Sequence, residues 1–319
     1  MLFSSFDFIV LFLPLVAIGY FLIGQRSHRL AMLWLTAASL FFYAWWNAVY
    51  VGLIVASTVF NYGVGAVIRH KIDTHPSLAK AAMVSGIAVD LLVLGFFKYA
   101  DFLIGNINAA TGATTPLLHV ILPLGLSFFT FQKIAYLVDC YKRQTVSGSF
   151  LDFSLFVTFF PQLIAGPIVH HKEMMPQFAD ASRARVNWDN IACGLFVFAI
   201  GLFKKVAIAD SLAKYATWGF DEAPLGMSLP EAWLTMFSYT FQIYFDFSGY
   251  TDMAIGAALL FNIKIPANFN SPYKARNIRD FWQRWHMTLS RFLRDYLYIP
   301  LGGNRHGVSR QIVALLVTF

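Results

Sequence analysis

The sequence predicts an all-α, multi-pass transmembrane protein, and three observations carry that prediction. Of 319 residues, 58% are hydrophobic and 13% are charged, where a soluble domain carries roughly 45–50% and about 25%. Mean hydropathy is +0.58. Apolar stretches of about 20 residues, the length a helix needs to cross the hydrocarbon core, recur along the chain. This composition excludes a disordered chain, a collagen-like fibre and an ordinary soluble enzyme. Two cysteines, Cys140 and Cys193, exclude a disulfide scaffold and a cysteine-rich metal site. The formal charge of +7 is read as membrane orientation and not as nucleic-acid binding.

The elements follow in order. Phe8 to Gln25 carries no Asp, Glu, Lys, Arg or His. Asp7 precedes it, and Arg26, His28 and Arg29 follow, which predicts a retained helix with its N-terminus outside and not a signal peptide. Leu30 to Ile68 also lacks Asp, Glu, Lys, Arg and His over 39 residues. A single helix of that length would run about 58 Å, so a break is expected near Trp46-Asn47. Ala81 to Ile104 is the next pass, interrupted by Asp90 and Lys98. A polar external loop over 106–115 precedes Leu117 to Val138, kinked at Pro123 and Gly125.

Phe153 to Val169 is apolar, yet basic residues flank it on both sides, and Pro161, Gly166 and Pro167 break any helix through it. It reads as a re-entrant segment or as one kinked pass. Asn190 to Ala209 goes out, a loop holds Asp210, Asp221 and Glu222, and Glu231 to Phe261 returns. Lys204 and Lys205 fit this scheme poorly, because they fall near the outer end. Lys264 to Arg310 holds nine Lys and Arg against two Asp, with interleaved aromatics, and belongs at the cytoplasmic interface. Gln311 to Phe319 opens an apolar helix of nine residues, about 13 Å and too short to cross. The single domain, 1–319, therefore reads as incomplete at its C-terminus.

Ionisable residues in apolar surroundings are the functional candidates. Asp246 shares a helix face with Gln242, while Asp252 faces elsewhere. They are functional carboxylates, or they bind arginines of Lys264–Arg310 or cap a helix break at Gly249. His286 lies in Asp280-Phe-Trp282-Gln-Arg284-Trp285-His286. On a continuous helix Trp282, His286 and Ser290 share a face, and Asp280/Arg284 and Arg291/Asp295 form charge pairs. His286 is a general base or a packed interfacial histidine. His170 and His171 have no local partner at ligand spacing, so no metal site is expected. His28, His70, His75 and His306 sit in basic loops, and His119 starts a helix. Both cysteines read as small core residues.

Several of these strings are shared with one family. Phe159-Phe-Pro161-Gln162-Leu-Ile-Ala165-Gly166-Pro167, Tyr244-Phe-Asp246-Phe-Ser248-Gly249-Tyr250-Thr251-Asp252 and Asn268-Phe-Asn270-Ser-Pro272-Tyr273 do so. So do the stretch Asp280 to Ser290 and Arg294-Asp295-Tyr296-Leu-Tyr298-Ile-Pro300-Leu-Gly302-Gly303-Asn304-Arg305. Together they resemble the membrane-bound O-acyltransferases, in the branch that O-acetylates alginate and related exopolysaccharides. The teichoic-acid D-alanylating branch is a more distant relative.

The resemblance implies a multi-pass helical enzyme of a bacterial inner membrane. It implies a cytoplasmic thioester donor (acetyl-coenzyme A or an acyl carrier), no bound cofactor and no metal. The acyl group would pass toward hydroxyls of an exported polysaccharide, with periplasmic acetyltransferases as partners alongside membrane lipid. His286 matches one of the family's two tunnel histidines; the second falls beyond Phe319, which implies a fragment inactive by itself. Asp246, Asp252, Trp282, Arg284, Trp285 and Asn304 are the supporting residues. The rival functions are D-alanyl transfer, a transporter, or a non-catalytic scaffold. A transporter would show repeats, and none is visible.

Overall fold

A computed structural model describes residues 1–145, 148–164, 166–223, 226–305 and 307–318. Ala165, His306 and Phe319, which enter the expectations above, lie outside the described residues. Every regular element among the described residues is helical.

The helices are α1 (Asp7–Gly24), α2 (His28–Ala44), α3 (Val49–Lys71), α4 (Pro76–Thr111) and α5 (Leu126–Tyr141). Next come three short ones, α6 (Phe150–Thr158), α7 (Phe160–Leu163) and α8 (His171–Ala179). Then follow α9 (Trp188–Glu222), α10 (Leu229–Leu259), α11 (Ile278–Trp282), α12 (Met287–Leu293) and α13 (Val308–Thr318). Helices α1, α3, α4 and α9 are long and apolar enough to cross a membrane, and large side chains such as Leu22, Leu92, Phe102 and Phe196 stand exposed on them. In water such surface would be unfavourable; in lipid it is the expected exterior.

Two boundaries differ from the sequence expectation, and at a third the expected break is present. The break at 45–48 is present, but no helix runs from Leu117. Residues 112–123 form no helix, and His119 takes a left-handed conformation instead of starting one. Pro116 and Pro123 withhold amide donors, and the carboxylate of Asp101 accepts from the amides of Leu118 at 2.6 Å and Val120 at 3.1 Å. Second, the expected loop at Asp210 is helical, since α9 continues through wide π-type turns at Lys204–Ala209 and Trp218–Glu222. Third, the backbone does break inside the 153–169 stretch, at Phe159 between α6 and α7. That stretch is buried almost throughout.

The chain divides into two compact units. The first comprises 1–38, 165–167 and 180–291. Its core joins α1 to α9 through Phe8 stacked on Phe198, and the segment before α1 to α10 through Phe3 stacked on Tyr250. Helices α9 and α10 pack backbone to backbone. A Cβ on Gly201 would stand 2.6 Å from the carbonyl oxygen of Gly249, and one on Gly256 would stand 2.6 Å from that of Gly194. Gly194 and Gly201, like Gly249 and Gly256, are two helical turns apart, so each pair lies on one face.

The second unit comprises 39–164, 168–179 and 292–319. Its centre is a buried ion pair, Lys133 Nζ to Asp90 Oδ1 at 3.6 Å, to which Asn61 Nδ2 donates at 2.9 Å. The charge that interrupts α4 is thus matched from α5. Phe160 opens α7 by donating its amide to Ser39 Oγ at 3.2 Å.

Candidate functional site

His286 does not sit on a continuous helix. α11 ends at Trp282, α12 begins at Met287, and His286 occupies the joint with φ of 44°. Such a left-handed backbone is unfavourable for a residue with a Cβ, so the surrounding contacts must hold it there.

Those contacts come from the strand-like segment 268–270. Met287 donates its amide to Asn268 O at 2.9 Å, and Asn270 donates to Arg284 O at 2.9 Å. The Asn268 side chain is buried at 1% exposure. Its Oδ1 lies 3.1 Å from the Thr288 amide, 2.9 Å from Thr288 Oγ1 and 3.1 Å from His286 Nδ1. A backbone amide can only donate, so the atom facing it is the carbonyl oxygen of Asn268. His286 must therefore donate from Nδ1. The neutral ring then carries its basic lone pair on Nε2. Burial pushes His286 down to about 4, so it is neutral near pH 7.

Aromatic rings surround this loop. Phe247 of α10 meets the His286 ring edge-on at 4.9 Å. Trp285 stacks on Phe281 at 5.7 Å and meets Phe269 at 5.1 Å. Trp282 turns its exposed ring against Phe281 at 5.6 Å. Arg284 is a structural clamp, with Nε donating to Asp280 Oδ1 at 2.7 Å as the i,i+4 spacing predicts. Asp295 pairs with Arg294 at 2.7 Å.

Asp246 and Asp252 have partners other than those anticipated. Lys205 Nζ reaches Asp246 Oδ1 at 2.6 Å, and Lys204 Nζ reaches Asp252 Oδ2 at 2.6 Å. The π-type turn at 204–209 puts both lysines on the α10 side, which explains their awkward place in the sequence. Gly249 breaks nothing; α10 runs through it. Asn304 lies in the other unit, where its Oδ1 accepts from the Tyr298 hydroxyl. Cys140 is buried but Cys193 is exposed.

Two features lay beyond sequence reasoning. Asn268 stands in a quoted string, but nothing local says that it grips a histidine 18 residues later. Asp139, His170 and His171 bring ligand-type atoms within 4.8 Å of one another in the second unit, although the sequence offers the two histidines no near partner.

Comparison with known proteins places this geometry. The chain is 53% identical over 333 residues to a peptidoglycan O-acetyltransferase of Helicobacter pylori, covering 96% of this chain and 62% of that protein. It is 43% identical over 323 residues to a probable alginate O-acetylase of Azotobacter vinelandii, covering 100% of this chain and 63% of the relative. A teichoic acid D-alanyltransferase of Bacillus subtilis is 31% identical over 180 residues, 55% of this chain and 45% of that protein. The chain thus spans a little over six-tenths of the length of the first two relatives. A profile of the membrane-bound O-acyltransferase family matches residues 140–319. The match takes in the histidine loop, the asparagine that holds it and the paired helices α9 and α10, and on that ground the chain belongs to the membrane-bound O-acyltransferase family.

Proposed function

We propose that this chain carries acyl-transfer machinery of a bacterial inner-membrane O-acetyltransferase. It would move an acetyl group from a cytoplasmic thioester toward hydroxyls of an exported glycan. The named activities of the relatives support that class, with alginate and peptidoglycan as the two acceptor chemistries. The observation that carries the reading is the Asn268–His286 hydrogen bond at 3.1 Å, because it sets the tautomer a base needs.

In the transfer, the acceptor oxygen attacks the thioester carbonyl, a C–O bond forms and the C–S bond breaks. His286 Nε2 takes the hydroxyl proton and returns it to the departing thiolate. Phe247, Phe269 and Trp285 keep water from the ring, which limits hydrolysis of the thioester. Arg284 acts by holding the loop. The lysine-bound carboxylates Asp246 and Asp252 position α10 and thereby Phe247. The net positive interface segment suits the phosphates of coenzyme A or an acidic carrier, and periplasmic acetyltransferases would receive the acyl group.

The test is transfer of labelled acetyl from acetyl-coenzyme A to glycan in membrane vesicles, with His286 altered in a protein that also carries the family's second histidine. His286→Ala should lower the rate by about 10²–10⁴-fold with the protein still folded. Unchanged transfer in that variant would remove His286 from the chemistry. A transporter or scaffold would leave acetyl-coenzyme A unconsumed.

A further inference from the structure

The second unit holds a side-chain cluster that acyl transfer does not use. Asp139 lies in the last turn of α5, His170 immediately precedes α8 and His171 opens it, and Tyr296 lies in the turn after α12. Asp139 and His171 are buried, at 2% and 1% exposure. Asp139 Oδ2 stands 3.5 Å from His170 Nδ1 and 3.6 Å from His171 Nδ1. Those separations are too long for good hydrogen bonds. They suit two ligand atoms on one ion, since donors about 2.0–2.1 Å from a tetrahedral zinc stand roughly 3.3–3.4 Å apart.

Two more observations point the same way. Neither ring nitrogen of His171 makes a hydrogen bond of normal geometry, the Gln144 backbone being its one polar approach of that kind among the described residues, which is costly for a buried imidazole. The Tyr296 hydroxyl lies 2.9 Å from His170 Nε2 and 3.0 Å from Asp139 Oδ2. A histidine ligating through Nδ1 passes its Nε2 proton to an oxygen, which fixes the ring. Tyr296 can accept that proton and donate its own to Asp139.

We propose that Asp139, His170 and His171 bind one divalent first-row transition-metal ion, with zinc the best match to two imidazoles and a carboxylate and with water as the fourth ligand. The site is structural: it ties α5 to the start of α8 and, through Tyr296, to the turn after α12. Lys172 is the competitor for Asp139, at 3.8 Å from Oδ2, but its ammonium donates to Gln144 Oε1 at 3.0 Å. Lys142 lies over the Tyr296 ring at 5.6 Å. These two cations weaken metal affinity without occupying the ligand positions.

The experiment uses the tag-free protein in detergent, stripped with a chelator and titrated calorimetrically with zinc chloride. Metal content is then measured after gel filtration. One zinc per chain is expected, with a rise in thermal midpoint. His171→Phe keeps the ring volume without a ligand and should lose binding at least about 100-fold, whereas His171→Cys, which can ligate as a thiolate, should retain it. Tyr296→Phe should weaken it about 10-fold. Substoichiometric uptake by the unaltered protein, or equal uptake by His171→Phe, overturns the proposal. Should His171→Phe fail to fold, loss of binding in His171→Cys overturns it equally.

Discussion

At the scale of single residues, the asparagine amide behind His286 decides what that ring can do. Asn268 Oδ1 accepts from three donors, while its Nδ2 is buried without a partner. Asn268→Asp would therefore keep the three accepted bonds and lose no donated one. A carboxylate at that position stabilises the imidazolium, so the pKa of His286 should rise from about 4. The sign follows. The neutral base then survives only at higher pH, so the acid limb of acetyl transfer should move upward, read from a pH–rate profile. An unmoved limb would show that His286 does not limit that arm. Stability carries the opposite linkage in the unaltered protein. The folded ring resists protonation that the unfolded chain accepts below about 6.5, so His286 contributes stability above that pH that is lost as pH falls toward about 4. Sequence made His286 a candidate through its residue type and its setting beside two tryptophans. It could not show the left-handed joint, because a five-residue helix followed by a seven-residue one reads as a single periodic stretch. Nor could spacing tie Asp139 to His170, which lie on separate elements.

At the scale of elements, the glycine face between α9 and α10 is a close backbone-to-backbone contact in the first unit. Any Cβ at Gly201 meets the backbone of Gly249 and Met253, and backbone cannot turn aside as a side chain can. Gly201→Leu should cost at least about 1–3 kcal/mol by overpacking, measured as a lower thermal midpoint in detergent. Gly63→Leu on α3, where no atom lies within 4 Å of the added Cβ, should change little. Equal effects at the two positions would refute the close approach. Helix existence was legible wherever apolar runs reached about 20 residues. The ends were not. The stretch before Leu126 looked helical by hydropathy, but its prolines and the Asp101 carboxylate hold it out of a helix. The pairing of Asp246 and Asp252 was illegible too, because basic residues nearer in sequence seemed the natural partners until α9 folded back.

At the scale of the whole molecule, composition alone announced a membrane protein, and the exposed apolar side chains of the four candidate spans agree. The paired charges of α9 and α10 have a consequence for how such a chain enters the bilayer during synthesis. Helix α9 presents two lysines and α10 two aspartates, bonded at 2.6 Å in each pair. On the translocon scale a lone Lys or Asp at a helix centre costs about 2.5–3.5 kcal/mol. Inserted singly, α10 bears two such penalties and α9 bears that of Lys204, since Lys205 also reaches Asp210 of its own helix at 2.8 Å; inserted together, the pairs cancel most of the charge. The two should therefore leave the translocon as one hairpin. In a glycosylation-mapping assay, chains ended before Leu229 should integrate α9 poorly, and those extended past Leu259 should integrate it well. Lys204→Leu with Lys205→Leu should abolish the difference. The ion pairs that fix α10 beside the histidine loop would then also set the moment in translation at which α9 becomes a membrane helix at all.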